Sequence, residues 1–253
     1  MRSNSLQTLY GVLWLLWVTL GVQPISSGTI RIASISLLAG QWAFTVLLLR
    51  KHRIWRILGI AAPIPILLFL ALPGRPMDAE TLSASYVKCL DSYRGSPYVW
   101  GGENRLGIDC SGLVRRGLIK ASAVRGIREG NPAYLRFALY LWWHDCTARA
   151  LGDGAFGLTD PLFEAPDVNS LVRHPMLEPG DLAVTADGVH VMAFLGNRRW
   201  IEADPGAMKV LIVEIPDPSN TWVTRPAKIV RWRVLSPAAP TTREEGERNV
   251  RVP

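Results

Sequence analysis

Three stretches without a single charge fill most of the first 75 positions: residues 8–25, 32–49 and 57–74, each of 18 residues. A helix that packs on a soluble core carries a polar stripe at helical period, and these runs carry none. Their length sits near the minimum of about 18 residues that a membrane-spanning helix needs. Pro63 and Pro65 interrupt the third run, but prolines are tolerated in membrane helices, where neighbouring groups satisfy the freed carbonyls. The pattern predicts a membrane region over residues 1–75 with two to three transmembrane helices.

Charge fixes the expected orientation. Residues 1–75 hold Arg2, Arg31, Arg50, Lys51, Arg53, Arg56 and Arg75 and no acid, so the whole net charge of +7 lies there. Four of these seven fall in RKHRIWR, residues 50–56. Short basic loops stay cytoplasmic. The second helix therefore ends inside, the third leads out, and residues from 76 onward lie outside the cytoplasm, on a multi-pass protein of the cell membrane. The first run has a second reading as a cleaved signal peptide, since ISSG offers small residues for processing; the topology after residue 50 is the same. A pI near 9.7 would ordinarily raise nucleic-acid binding. With acids and bases balanced after residue 75, nucleic acid is excluded as a partner.

Residues 76–235 suit one α+β domain. Residues 80–93 read as a helix stopped by Gly95. A second is expected from Cys110 to about Ala123, and a third over residues 132–151. LEPGDLAV, GVHVMAFLG, RRWIEAD, MKVLIVEI and AKIVRWRV then read as five short strands. Helices followed by strands argue for an antiparallel sheet rather than βαβ units. The tail 236–253 is Pro-rich and charged, and disorder is expected there.

Chemistry concentrates in YVWGGENRLGIDCSGLV, residues 98–114. A nucleophilic cysteine needs a lowered pKa and a nearby base. The start of a helix supplies positive potential and free N–H groups for an oxyanion, so DCSG at a loop-to-helix junction suits Cys110 for that work. Gly101, Gly102 and Gly107 permit the tight approach that would bring Tyr98 and Trp100 beside the thiol. Gly112 is expected to keep the first turn open to a substrate carbonyl. Of the four histidines, His52 falls in the basic loop, His144 on a helix and His174 in a loop. His190 begins a strand after the turn ADG, where a base can project from a rigid element. The next strand offers Glu202 and Asp204 on one face as the group that orients it, and alternation does not choose between them. Asp109 also has the residue type of a helix N-cap, and for Trp100 core packing is favoured over substrate stacking.

These motifs resemble the NlpC/P60 cell-wall peptidases: YVWGG with GIDCSGLV, then LEPGDLAV, then HVMAFLG followed by a strand ending in Glu-Ala, over residues 80–235. The resemblance implies a papain-like α+β fold, Cys110 as nucleophile and His190 as base. The family's third residue, often a second His, falls here on Glu202, a departure that a carboxylate can serve. Tyr98 matches a tyrosine lining the family's site. Asp109 and Ser111 match positions that in some members bind the free amine of the substrate, and Trp100 joins them as a candidate substrate contact.

The expected function is a membrane-anchored cysteine peptidase acting on a peptidoglycan peptide substrate, with no metal and no cofactor. A Cys–His amidase or acyltransferase on another substrate would share the machinery, and a catalytically silent cell-wall binding module is the reading from another class. The extracytoplasmic location would allow Cys89 and Cys146 to pair, although sequence does not place them within bonding distance. The segment from Lys120 to Leu177 is long for the compact family, and its aromatic residues at helical period favour a buried extra helix over a lid.

Overall fold

The computed structural model describes residues 2–236; residues 237–253, most of the tail expected to be disordered, lie outside the described residues. The N-terminal part is helical throughout: α1 (Arg2–Val22), α2 (Gly28–Leu48), α3 (Arg53–Ala61) and α4 (Ile64–Ala71). Ser27 caps α2 by accepting the Ile30 N–H. The third apolar run is broken between α3 and α4 at Pro63, which then starts the new helix. By length and composition two helical segments, Gly28–Lys51 and Arg53–Ala71, are long and apolar enough to cross a membrane, while Thr8–Val22 is shorter. Leucines on these helices point outward, and the buried side chains of α2 are Arg31 and Gln41. The Gln41 Nε2 donates to the Leu13 carbonyl at 2.7 Å, and the Tyr10 and Thr45 hydroxyls bond at 2.9 Å. Polar groups between outward-facing apolar surfaces are what hold helices together in lipid.

The remainder has the expected α+β organisation. Four helices, α5 (Ala79–Asp91), α6 (Cys110–Glu129), α7 (Pro132–Trp143) and α8 (Ala148–Gly152), cover one face of a sheet. Between α5 and α6 lies a small hairpin of β1 (Glu103–Asn104) and β2 (Gly107–Ile108). The main sheet is built from β3 (Thr159–Ala165), β4 (Leu182–Thr185), β5 (Val191–Gly196), β6 (Arg199–Asp204), β7 (Lys209–Glu214) and β8 (Ala227–Trp232), in the order β3-β8-β4-β5-β6-β7, with every pairing antiparallel.

The sheet has six strands where five were expected. The additional one, β3, contains Pro161, which argues against a strand except at an edge; β3 is an edge strand with a bulge just after that proline. Two other boundaries differ. Helix α6 runs on to Glu129, because the first residue that ends it is Gly130 in a left-handed conformation (φ 57°). The expected helix over 132–151 divides into α7 and α8, since the buried Arg115 takes the carbonyls of Leu141 and His144, and Thr147 then caps a new helix.

Both faces of the sheet are buried. On one, Leu182, Val191, Ala193, Ile201 and Trp232 meet Leu82, Tyr86, Leu113 and Leu118 of α5 and α6. On the other, Met192, Trp200, Val213 and Ile229 are covered by Val168, Leu171 and Val223 from the loops. This explains why VMAFLG reads as a continuous apolar run. Trp232 donates to the Tyr86 hydroxyl at 3.2 Å, fixing α5, and through it the helical layer, to β8.

Candidate active site

Cys110 is the first residue of α6 and is 8% exposed. Asp109 caps the helix: its Oδ1 accepts from the Gly112 N–H at 2.6 Å and the Ser111 hydroxyl at 3.0 Å, and its Oδ2 from the Gly101 N–H at 2.8 Å. The capping role is therefore present, and the same carboxylate ties the YVWGG turn to the helix start. Gly112 serves a purpose other than the expected one. A Cβ there would lie 2.2 Å from the Gly102 carbonyl oxygen, so glycine lets the helix pack against the turn rather than clearing space for substrate.

His190 stands one residue before β5, at the end of the hairpin turn from β4. Its N–H donates to the Thr185 hydroxyl at 3.0 Å, and it is 1% exposed. Its Nε2 meets Glu202 Oε2 at 2.7 Å, and Glu202 is fully buried. Asn220 donates to the other oxygen, Oε1, at 2.7 Å. The imidazole lies flat against Trp222, with ring centroids 4.2 Å apart and planes at 19°. Since Nε2 is held by Glu202, Nδ1 is the nitrogen left to meet Cys110, whose thiol acts on this ring. Burial is the largest influence on His190 and opposes its charge. The hydrogen bonds and negative charges of Cys110 and Glu202 overcome it, and the ring is raised from 6.5 to about 9.

The choice between Glu202 and Asp204 follows from the register. Ala193 pairs with Ile201, so continuing the ladder puts Asp204 opposite His190 and Glu202 on the diagonal. The diagonal residue makes the bond. Asp204 instead accepts from Trp222 Nε1 at 3.2 Å and the Gly206 N–H at 2.7 Å, so it positions the ring that stacks on His190.

Cys110 opens into a cleft of about 620 Å³ whose lining includes Tyr98, Trp100, Asp109, Ser111, Asp145 and Arg149. Trp100 is 78% exposed, which overturns the expectation of core packing and leaves its face at the rim of the cleft. Burial first, and then the charges of Cys110, Asp109 and Asp204, push the Tyr98 phenol up to about 12, so it remains a donor beside the thiol at neutral pH. The extra helix α7 is buried along Tyr134, Ala138 and Leu141, as its periodicity required, while Leu139, Tyr140 and Trp143 are exposed. The turn after it carries Asp145 and Cys146 into the cleft wall.

Cys89, Cys110 and Cys146 are all free thiols, so the pairing of Cys89 with Cys146 is absent. His144 stacks between Tyr140 and Phe156, and His174 on Phe163, both away from this site. Among the described residues no group of three His, Cys, Asp or Glu side chains is placed to hold a metal ion. Sequence reasoning missed Asn220 and Trp222, which lie in the loop between β7 and β8. Its length and its two bounding prolines, Pro216 and Pro226, mark it as irregular, but no spacing signal ties it to His190.

The site thus combines a cysteine at a capped helix start with an imidazole held by a buried carboxylate on an antiparallel sheet. The model described as the NlpC/P60 family matches residues 95–226, more than half of the chain, and the protein belongs to that family. Among solved structures, similarity is found to NlpC2 from Trichomonas vaginalis (16% identity, 65% of this chain and 50% of that one, TM-score 0.39). It is also found to the NlpC/p60 domain of the peptidoglycan hydrolase SagA (19% identity, 59% and 97%, TM-score 0.37) and to the peptidoglycan hydrolase RipB from Mycobacterium tuberculosis (20% identity, 84% and 92%, TM-score 0.42). The chain spans about half the length of the Trichomonas protein. No curated protein matches it.

Proposed function

We propose that this protein is a membrane-anchored cysteine peptidase that hydrolyses amide bonds in peptidoglycan stem peptides, with Cys110 as nucleophile, His190 as base and Glu202 as the residue that orients it. The observation that carries this reading is the bonded set His190–Glu202–Asn220 with Cys110 acting on the ring from the head of a helix at the edge of a cleft. Membership of the NlpC/P60 family supports the substrate class. An intact set of this kind also weighs against a silent binding module.

The geometry supports the following steps. Nδ1 of His190 takes the Sγ proton, and Sγ bonds to the substrate carbonyl carbon. The oxyanion that forms lies at the helix start, where the first N–H groups have no partner within the helix, and Tyr98 lines the same cleft. The imidazolium returns the proton to the leaving amine as the C–N bond breaks, leaving a thioester on Cys110. Water then gives a proton to His190, its oxygen bonds to the acyl carbon, and the thiol departs with that proton. Glu202 keeps the ring in the tautomer that leaves Nδ1 free and stabilises the charge that appears on it.

The chain divides in this reading into a membrane region, residues 1–75, and a catalytic domain, residues 76–235, facing outward. Two observations support the topology. The basic segment Arg50–Arg56 lies at the far end of α2 from the α1–α2 loop, and that loop bonds directly to the segment leading to Cys110: the Ser26 N–H donates to the Gly101 carbonyl at 3.2 Å. Both must then lie on one side of the membrane. The test is mass spectrometry of muropeptides incubated with the full-length protein in detergent. Cleavage within the stem peptide that is absent in Cys110→Ser is expected; intact muropeptides, or cleavage that survives in the variant, would refute it.

A further inference from the structure

The membrane hairpin does more than hold the chain in place. Residues 23–27, between α1 and α2, lie along the turn that precedes Cys110 as an added strand would. Ile25 bridges Gly102 in antiparallel fashion, the Ser26 N–H donates to the Gly101 carbonyl at 3.2 Å, and the Glu103 N–H to the Pro24 carbonyl at 2.9 Å. Asn104 closes the array by donating to the Gln23 carbonyl at 2.8 Å. The approach is close: a Cβ on Gly107 would lie 2.4 Å from the Val99 side chain and 2.8 Å from the Pro24 Cβ, so glycine there lets the β1–β2 hairpin pack against both Val99 and the loop.

A buried ion network locks this contact. Glu103, 5% exposed, lies between two almost wholly buried guanidiniums, Arg31 at the start of α2 and Arg115 on α6. Arg31 bonds its Oε1 at 3.0 Å, and Arg115 bonds the same oxygen. Asp145, at the cleft wall, pairs with Arg115 at 2.8 Å and Arg31 at 3.7 Å. The helix that presents Cys110, the turn before it and the membrane helix are thus joined through one carboxylate. Buried charges are tolerated only when paired in this way, so the arrangement is fixed rather than incidental.

The consequence is at the cleft. Its lining includes Ile25, Ser26 and Ser27 together with Cys110, and Ile25 is 48% exposed there. Ile25, Trp100 and Val189 are exposed apolar side chains on a cleft whose lining also includes Asp109, Ser111, Asp145 and Arg149. We propose that the α1–α2 loop is a wall of the substrate cleft and that Ile25 is a specificity-determining residue, making apolar contact with the peptide that approaches Cys110. The inference rests on the cysteine-peptidase reading for its substrate class, but not for the existence of the wall.

The experiment uses the full-length protein in detergent micelles and reads alkylation at Cys110 by peptide mapping, with two reagents: iodoacetamide and a chloroacetamide carried on a tripeptide. Ile25→Trp adds bulk to the wall. It is expected to slow the peptide reagent about tenfold or more while iodoacetamide changes less than about twofold, because a steric block discriminates by size. Ile25→Ala removes the contact and is expected to change the peptide rate alone. If each variant alters both reagents equally, or alters neither, the proposal is overturned. A parent protein that accepts the peptide reagent but leaves stem peptides uncut refutes the peptidase reading only, since the ratio of the two alkylation rates still reports on the wall.

Discussion

The two halves of the site are built to different rules. The half that carries Cys110 borders the cleft and is open: Trp100 is 78% exposed, and Asp109 and Ser111 are only partly covered. The half that carries His190 is layered and closed. Behind His190, itself 1% exposed, come the fully buried Glu202 and then Asn220, with Trp222 flat against the ring. The first half is open to what enters the cleft. The other leaves the imidazole a single orientation, since both its Nε2 and its face are occupied. Changes on the first half should therefore remove the chemistry outright or alter which peptide is accepted, and changes on the second should give graded losses that follow distance from the ring.

The largest effect expected is from Cys110→Ala, a loss on the order of 10⁵-fold or more in turnover, by analogy with deleting the nucleophile of a hydrolase. Release of the new amine from a stem peptide measures it. The comparison would break if Cys146 could substitute, since it lines the same cleft. Burial pushes the Cys146 thiol up, however, which disfavours the reactive form. Residual turnover abolished by a further Cys146→Ala change would show that the nucleophile is not fixed by its helix start.

Glu202 gives the next effect and sharpens the comparison. Glu202→Ala should cost on the order of 10²-fold or greater, as for orienting residues of such triads. Glu202→Gln should cost less, because its amide oxygen still accepts from the ring. Asp204→Ala should stay within a few-fold, as Asp204 meets Trp222 and not His190. The pH profile separates orientation from bulk structure. His190 is raised to about 9 in part by the Glu202 charge. Above that value the ring no longer holds the proton that the leaving amine receives, so activity should fall on an alkaline limb near it. Removing the charge in Glu202→Gln should move the limb to lower pH. The same shift acts on stability: the contribution of His190 is fully present below its ordinary value of 6.5 and is lost as pH rises through about 9. Chemical denaturation at pH 7 and at pH 10 should show a larger drop in the parent than in His190→Ala.

What could be read in the sequence were the features whose cause is local. DCSG reads as a helix start because Asp109 caps the next turn through its own side chain. His190 reads as a strand residue because a turn at Asp187–Gly188 precedes it, and the basic-only N-terminus announces its apolar helices. Features made by the chain folding back were hidden. Asn220 reaches Glu202, and Trp222 reaches His190, from a loop well beyond both in sequence, and nothing in their spacing points to it. The strand β3 was masked by Pro161, which only an edge position makes acceptable. Ile25 reads as the end of an apolar run, and only its bridge to Gly102 shows that it borders the cleft.

Smaller effects than that of Glu202→Ala should come from the residues behind the ring. Asn220→Ala removes one of the two hydrogen bonds that fix Glu202, leaving its Oε2 on His190, and should cost about tenfold, in line with the loss of a single charge-assisted bond. Trp222→Phe should cost less still. The indole presents a face to the imidazole, and phenyl presents a similar one, so stacking on the charged ring is kept at about 1 kcal/mol, within a few-fold in rate. The bond from Nε1 to Asp204 is lost, but that bond positions the ring rather than the base. Arg225 also lies over the Trp222 ring, at 4.6 Å, so the indole is held by a second neighbour. Steady-state turnover of the two variants on one stem peptide decides the order. Should Trp222→Phe cost as much as Glu202→Ala, the ring would be oriented chiefly by its stacked neighbour, and the carboxylate would be left with the charge of the imidazolium as its main task.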